Sequence, residues 1–214
     1  MNAGKPRKGG RIRARETRRR IVEASYRLMS TKGYAQTTIA EIAAEAEVAV
    51  PTVYFSFRGK PALLMEAFRL GIKGEGDVDP FQQDWSTLMQ AEPDARRALE
   101  VMIDASCGIL KRVTPLWSIM QGLGDDPEIV EFQRYGESLR RAGYLRMVEM
   151  LANKQPLRPG LSVDDATSIL MVLVGPDVYR AFVEEHGWGD ERVVAWMVET
   201  VAAALFGDKP FTEA

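Results

Sequence analysis

The stretch PTVYFSFRGK, residues 51–60, decides the fold. Valine, tyrosine and two phenylalanines alternating with threonine and serine favour a β-strand by propensity. A strand here has no obvious pairing partner nearby, and the flanking residues set up helices instead. Upstream, Thr38 and Glu41 stand at capping-box spacing. The Thr38 side chain accepts from the Glu41 backbone N–H while the Glu41 side chain reaches back, which starts a helix over 39–46. Its apolar side is Ile39, Ile42, Ala43 and Ala46. Three residues later comes Val50-Pro51, and proline suits the first turn of a helix because its missing N–H has no partner there anyway. A second short helix therefore begins at 50 or 51, with Val53 and Phe57 on one side at i, i+4. Gly59 ends it. Lys60-Pro61 opens another helix carrying Leu63, Leu64 and Phe68. Two short helices joined by about three residues form a helix-turn-helix, whose second helix enters the major groove of DNA.

A preceding helix over 16–32 is read from Ile21, Ser25, Leu28 and Met29, with only the small Ser25 interrupting the apolar spacing. Gly33 stops it. Downstream, residues 71–80 (GIKGEGDVDP) are rich in Gly and Asp and read as the loop to a larger domain. The remainder is helical in pattern over about 94–113, 115–123, 126–152, 163–185 and 190–206, with Gly187 and Gly207 as stops and Gly175-Pro176 as a bend. The expected organisation is all-α. It comprises a basic flexible arm (1–15), a helix-turn-helix DNA-binding domain (16–68) and a larger helical domain (69–214).

Charge separates the two ends. The chain of 214 residues has a net charge of −2, yet residues 1–20 hold nine Arg or Lys against Glu16 alone, or +8, and the rest sums to −10. The basic end suits a polyanion. Nucleic acid, a membrane surface, an acidic protein or plain solvation all remain open at this point. The longest uninterrupted apolar run, ILMVLV (169–174), is far below the roughly 20 residues that span a bilayer. No membrane partner is expected. The N-terminus lacks the apolar segment of a secretory signal, and one cysteine, Cys107, excludes an internal disulfide framework. A cytoplasmic setting is the simplest reading.

Catalytic chemistry has little to stand on. The single His186 sits at an expected helix end before Gly187, a favourable place for a cation. Cys107 lies in an apolar helix as a small core residue, and no His/Cys spacing suits a metal. Neither enzyme activity, metal nor cofactor is expected. The DNA reading gathers several residue types instead: Thr38 at a helix N-terminus, Thr52 and Tyr54 as donors to phosphate, and Lys60 as a charge on the next helix.

Residues 21–68 closely resemble the DNA-binding domain of TetR-family transcriptional regulators. The agreement runs through Gly33-Tyr34, Thr38-Ile39, Ile42-Ala43, Val48, Thr52-Val53-Tyr54, Phe57, Lys60 and Leu63-Leu64. The resemblance implies a homodimeric regulator of double-stranded DNA with a small-molecule effector, three N-terminal helices for DNA, and residues 69–214 as a helical ligand-binding and dimerisation domain. By that likeness Val50, Pro51, Thr52 and Phe55 lie near base edges, Thr38, Tyr54 and Lys60 hold phosphates, and Val53 and Phe57 anchor the helix. Three positions depart from the family pattern: Glu47 where glycine is usual, Ala49 where serine is usual, and Ser56 where His or Tyr is common. Val50, Pro51 and Phe55 leave Thr52 as the main polar side chain for base contact, so thymine methyls and DNA shape are expected to outweigh guanine contacts. Arg11, Arg13 and Arg15 of the arm are expected to add minor-groove contacts to A·T-rich flanks.

In the larger domain, Met102, Ser106, Trp117, Met120, Phe132, Tyr135, Met147 and Tyr179 are candidates to line a pocket for a mostly apolar effector, or else ordinary bundle core. Met171, Val172, Val178, Phe182, Val194, Met197, Val198, Val201 and Leu205 are divided between core and a dimer interface. The expected function is a ligand-released repressor on a pseudo-palindromic operator. An activator and a ligand-independent DNA-binding protein stand as alternatives.

Overall fold

A computed structural model describes residues 8–74 and 76–207. Among these there are ten α-helices and no strand: α1 (Lys8–Lys32), α2 (Ile39–Glu45), α3 (Val50–Ser56), α4 (Lys60–Lys73), α5 (Asp84–Ala91), α6 (Ala95–Gln121), α7 (Pro127–Lys154), α8 (Val163–Leu173), α9 (Pro176–Arg180) and α10 (Asp190–Phe206). A 3₁₀ turn, Pro80–Gln82, precedes α5, and a π-helical turn, Ala181–Glu185, follows α9. The chain divides into two compact units. One holds the residues up to Gly71 together with Pro115–Ile129. The other runs from Ile72 to Thr114 and from Val130 onward.

In the first unit the helix-turn-helix is built as its local signals require. The Thr38 hydroxyl accepts from the Glu41 N–H at 3.2 Å, and the Glu41 carboxylate accepts from the Thr38 N–H at 2.9 Å, so both halves of the capping box are present. The segment 51–56 is helical, not extended. Val53 and Phe57 are buried with Ile21, Ile42, Leu63 and Leu64. Burial of this stripe outweighs the β-propensity of the sequence between them. Ser25 fits the core because its hydroxyl donates to the Ile21 carbonyl at 2.8 Å. The turn between α2 and α3 keeps a left-handed residue without glycine, Glu47 at φ 53°. Ala49 gives α3 no side-chain cap, and Pro51 stands in its first turn.

The structure revises four expectations. Residues 8–15, read as a flexible arm, are the first turns of α1; its lysine, arginines and alanine are good helix formers and extend it through Gly9 and Gly10. Residues 1–7 lie outside the described residues, as does the Arg11 side chain. The helices expected over 94–113 and 115–123 are one helix, α6, with Pro115 inside. Leu110, Val113, Leu116 and Met120 continue its buried stripe across that proline. The π-helical turn and α5 were not anticipated, since the Gly/Asp-rich loop obscures the short apolar run that follows it.

The bend expected at Gly175-Pro176 is a full break. A Cβ on Gly175 would lie 3.0 Å from the carbonyls of Met171 and Val172. Proline supplies no N–H to continue the ladder. Two α7 side chains satisfy the carbonyls at the break: Arg140 donates to Met171 at 3.1 Å, and Tyr144 donates to Val174 at 2.7 Å. Burial pushes the Tyr144 hydroxyl up to about 12, which keeps it protonated as a donor. Residues Val163–Glu185 are long and apolar enough to cross a membrane by length and composition alone. Here that stretch is interrupted, and Ala166, Leu170, Val174 and Tyr179 belong to the core of the second unit.

Relief of the Glu47 conformation gives the first prediction. Glu47→Gly is expected to raise stability by about 1 kcal/mol, measured by urea unfolding, because only glycine is unstrained at this φ. The Arg20–Glu47 pair lost with it is 3.6 Å apart, with the glutamate 85% exposed, and offsets little.

Candidate nucleic-acid interface

The short helix α3 presents one face to the core and the other to solvent. Around its axis Phe55 stands opposite Val53 and Phe57, and it is 94% exposed. Val50, Pro51 and Tyr54 are also exposed, whereas Thr52 is half-buried. An outward phenylalanine on a helix anchored by buried neighbours is costly to leave in water. Thr38 is exposed at the N-cap of α2. Lys60, at the start of α4, is half-buried. Its ammonium lies 4.2 Å from the centre of the Tyr34 ring and 3.5 Å from the Ala35 carbonyl. Arg13 and Arg15 are exposed on α1.

Cations of α1 that the sequence reading did not single out hold the helices together. Arg27 pairs with Glu45 at 3.0 Å, Lys32 with Glu41 at 2.7 Å and Arg20 with Glu47 at 3.6 Å, in the order of two antiparallel helices. Arg18 turns toward α3: it donates to the Ser56 carbonyl at 2.9 Å, pairs with Glu66 at 3.3 Å, and lies 4.1 Å over the Phe57 ring. A sequence signal for Arg18 existed. It occupies the same helical stripe as Ile21, Ser25 and Met29, so a charge there needed a partner.

Residues 21–67 match the family model of bacterial regulatory proteins, tetR family. Over that segment the chain is a TetR-family DNA-binding domain. Over 200 residues, 94% of the chain and 93% of the relative, it is 24% identical to the uncharacterised HTH-type transcriptional regulator YdeS of Bacillus subtilis (strain 168). Its fold is shared with a protein of Saccharomonospora viridis crystallised with choline (TM-score 0.71, 19% identity, 89% of this chain and 98% of that one). It is shared too with the transcriptional regulator FadR of Bacillus subtilis in complex with stearoyl-CoA (TM-score 0.66, 18% identity, 89% and 99%).

The effector candidates do not gather into one cluster. Met102, Met147 and Tyr179 sit in the second unit's core, and Ser106 is buried beside Tyr144. The Tyr179 hydroxyl donates to Asp190 at 2.7 Å, and Lys111 pairs with that carboxylate at 2.6 Å. Trp117 and Met120 belong to the first unit, where the Trp117 ring is 6.3 Å from Phe68. Phe132 is half-buried. Tyr135, expected in a pocket wall, is 61% exposed because its helix turns it outward. Cys107 meets the Met197 sulfur at 3.5 Å, and burial pushes its thiol up to about 12, so it is a core residue and no nucleophile at neutral pH. Among the described residues no group of three His, Cys, Asp or Glu side chains could hold a metal ion. Three buried groups of the second unit have no protein partner among the described residues: Trp85 Nε1 on α5, Thr114 Oγ1 on α6 and Gln133 Nε2 on α7. Sequence spacing carries no sign of them.

Glu41 couples the interface helices to pH. Hydrogen bonds from Lys32 and then from Thr38 hold its carboxyl down at about 2, against an ordinary 4.5. Its stabilising contribution is therefore complete above pH 4.5 and fades as pH falls toward 2. Glu41→Gln is expected to unfold less steeply than the parent over that window, as followed by circular dichroism against pH.

Proposed function

We propose that this regulator binds a pseudo-palindromic operator as a homodimer, represses transcription, and is released by a small, mostly apolar effector. The single observation that carries the DNA part is the exposure of Phe55 and its neighbours on a helix whose opposite side is buried. On this reading α3 lies in the major groove. Val50, Pro51, Thr52 and Phe55 approach base edges, with apolar groups reading thymine methyls. Thr38, Tyr54 and Lys60 hold phosphates, and Arg11, Arg13 and Arg15 extend the contact along α1. A helical extension bearing these arginines replaces the flexible arm and fits the phosphate backbone more readily than a minor groove.

Dimerisation follows from the two-fold operator, whose half-sites stand about 34 Å apart. Met197, Val198, Val201 and Leu205 are consumed by the subunit's own core, which leaves Val172, 65% exposed on α8, with the half-buried Met171, Val178 and Val194, as the apolar surface for a second copy. The effector reading rests on Thr114 and Gln133. Both lie in the second unit, Thr114 on α6 and Gln133 on α7. A ligand with one hydrogen-bond acceptor and an apolar body would satisfy both groups. That chemistry agrees with a solved relative that binds stearoyl-CoA better than with one that binds choline. Release requires the ligand to prefer a state with the wrong half-site separation, and its effect is bounded by that preference. On this reading the protein acts in the cytoplasm.

Selection from a random DNA pool is expected to enrich a two-fold-related sequence with thymines facing α3. Enrichment of no symmetric site would overturn the reading. Phe55→Ala is expected to weaken that site roughly 10-fold or more while sparing non-specific DNA, measured by fluorescence anisotropy. Val172→Asp is expected to convert the dimer to monomer in sedimentation and to abolish tight operator binding.

A further inference from the structure

We infer that Arg18 is a positioning residue that sets the angle of α3, and through it the choice of DNA sequence, without itself touching DNA. The inference rests on α3 as the DNA-reading helix. Three contacts from three places converge on this one guanidinium. It bonds the carbonyl of Ser56, the last residue of α3, covers the ring of Phe57 just beyond it, and pairs with Glu66 on α4. The C-terminal carbonyls of a helix have no partner within it and carry the negative end of its dipole, so a cation there is favourable. The planar fork of arginine can bond, stack and pair at once, which a lysine ammonium cannot.

The geometry of α3 makes such a fixture necessary. At seven residues, with no side-chain cap at Ala49, it is anchored to the core by Val53 and, just past its end, Phe57. Two anchors one turn apart lie nearly along a line and leave rotation about that line free. Arg18 adds a third point away from it, tied to α1 and α4. The neighbouring Arg13 and Arg15 share its charge but stand exposed on the solvent side of α1. Arg18 is itself 45% exposed, so a direct phosphate contact is the competing account, and the two accounts differ in what salt does.

The test measures binding of the full-length protein to its selected operator and to a scrambled duplex, each across a salt series, for the parent, Arg18→Ala and Arg18→Lys. Expected is a loss on the operator of roughly 10-fold or more for both variants, with binding to the scrambled duplex and its salt slope unchanged. Equal losses on both duplexes, with the slope reduced by about 0.9 for Arg18→Ala, would show a phosphate contact and overturn the inference. So would unchanged operator affinity in either variant. Thermal unfolding is run alongside; if Arg18→Ala is unfolded at the assay temperature, Arg18→Lys, which keeps the charge and the stem, decides alone. A parent protein without operator preference would instead refute the reading of α3.

Discussion

Seven residues form too little helix to persist in water, where isolated helices need about 12 to 15 residues to be even marginal. The segment Val50–Ser56 is therefore a helix only because Val53 and Phe57 are buried beneath it. Nearly everything else in the first unit can be traced to that anchorage. The capping box on α2 fixes where the preceding helix starts. Glu47 bears a left-handed backbone so that the chain can turn sharply enough to bring Val53 inward. The outward exposure of Phe55 is the geometric complement of the same burial, since a side chain opposite the anchors has nowhere else to go.

The helices beyond α4 face a related problem, and the difficulty there is a proline. At Pro115 the helix continues, because buried residues on both sides recover what the missing N–H costs. At Pro176 it breaks, because Gly175 comes close to two carbonyls and Arg140 and Tyr144 stand ready to satisfy the groups released. Polar side chains thus do structural work inside this core. Against that pattern, Trp85, Thr114 and Gln133 each bury a polar atom without a protein partner.

The local structure of the candidate DNA-facing surface was legible in the sequence because its signals act within one turn. Thr38 and Glu41 meet across three residues, Pro51 selects the first turn of α3, and the i, i+4 spacing of Val53 and Phe57 selects its inward face. The effector residues were less legible. Met102, Met147 and Tyr179 share the apolar spacing of any bundle, and nothing local distinguishes a pocket wall from a core. Tyr135 shows the consequence: an aromatic in helical register that faces outward.

By itself, then, the sequence determined the helical class, the helix-turn-helix and the face that α3 turns outward, since caps, stops and periodicity are properties of neighbouring residues. Only the tertiary structure decided which cations of α1 face solvent and which turn inward. Arg18 meets its carbonyl 38 residues away, and no rule of spacing along one helix can choose a partner on another. The same limit holds at Pro115, where the helix continues because of what the residues around it bury.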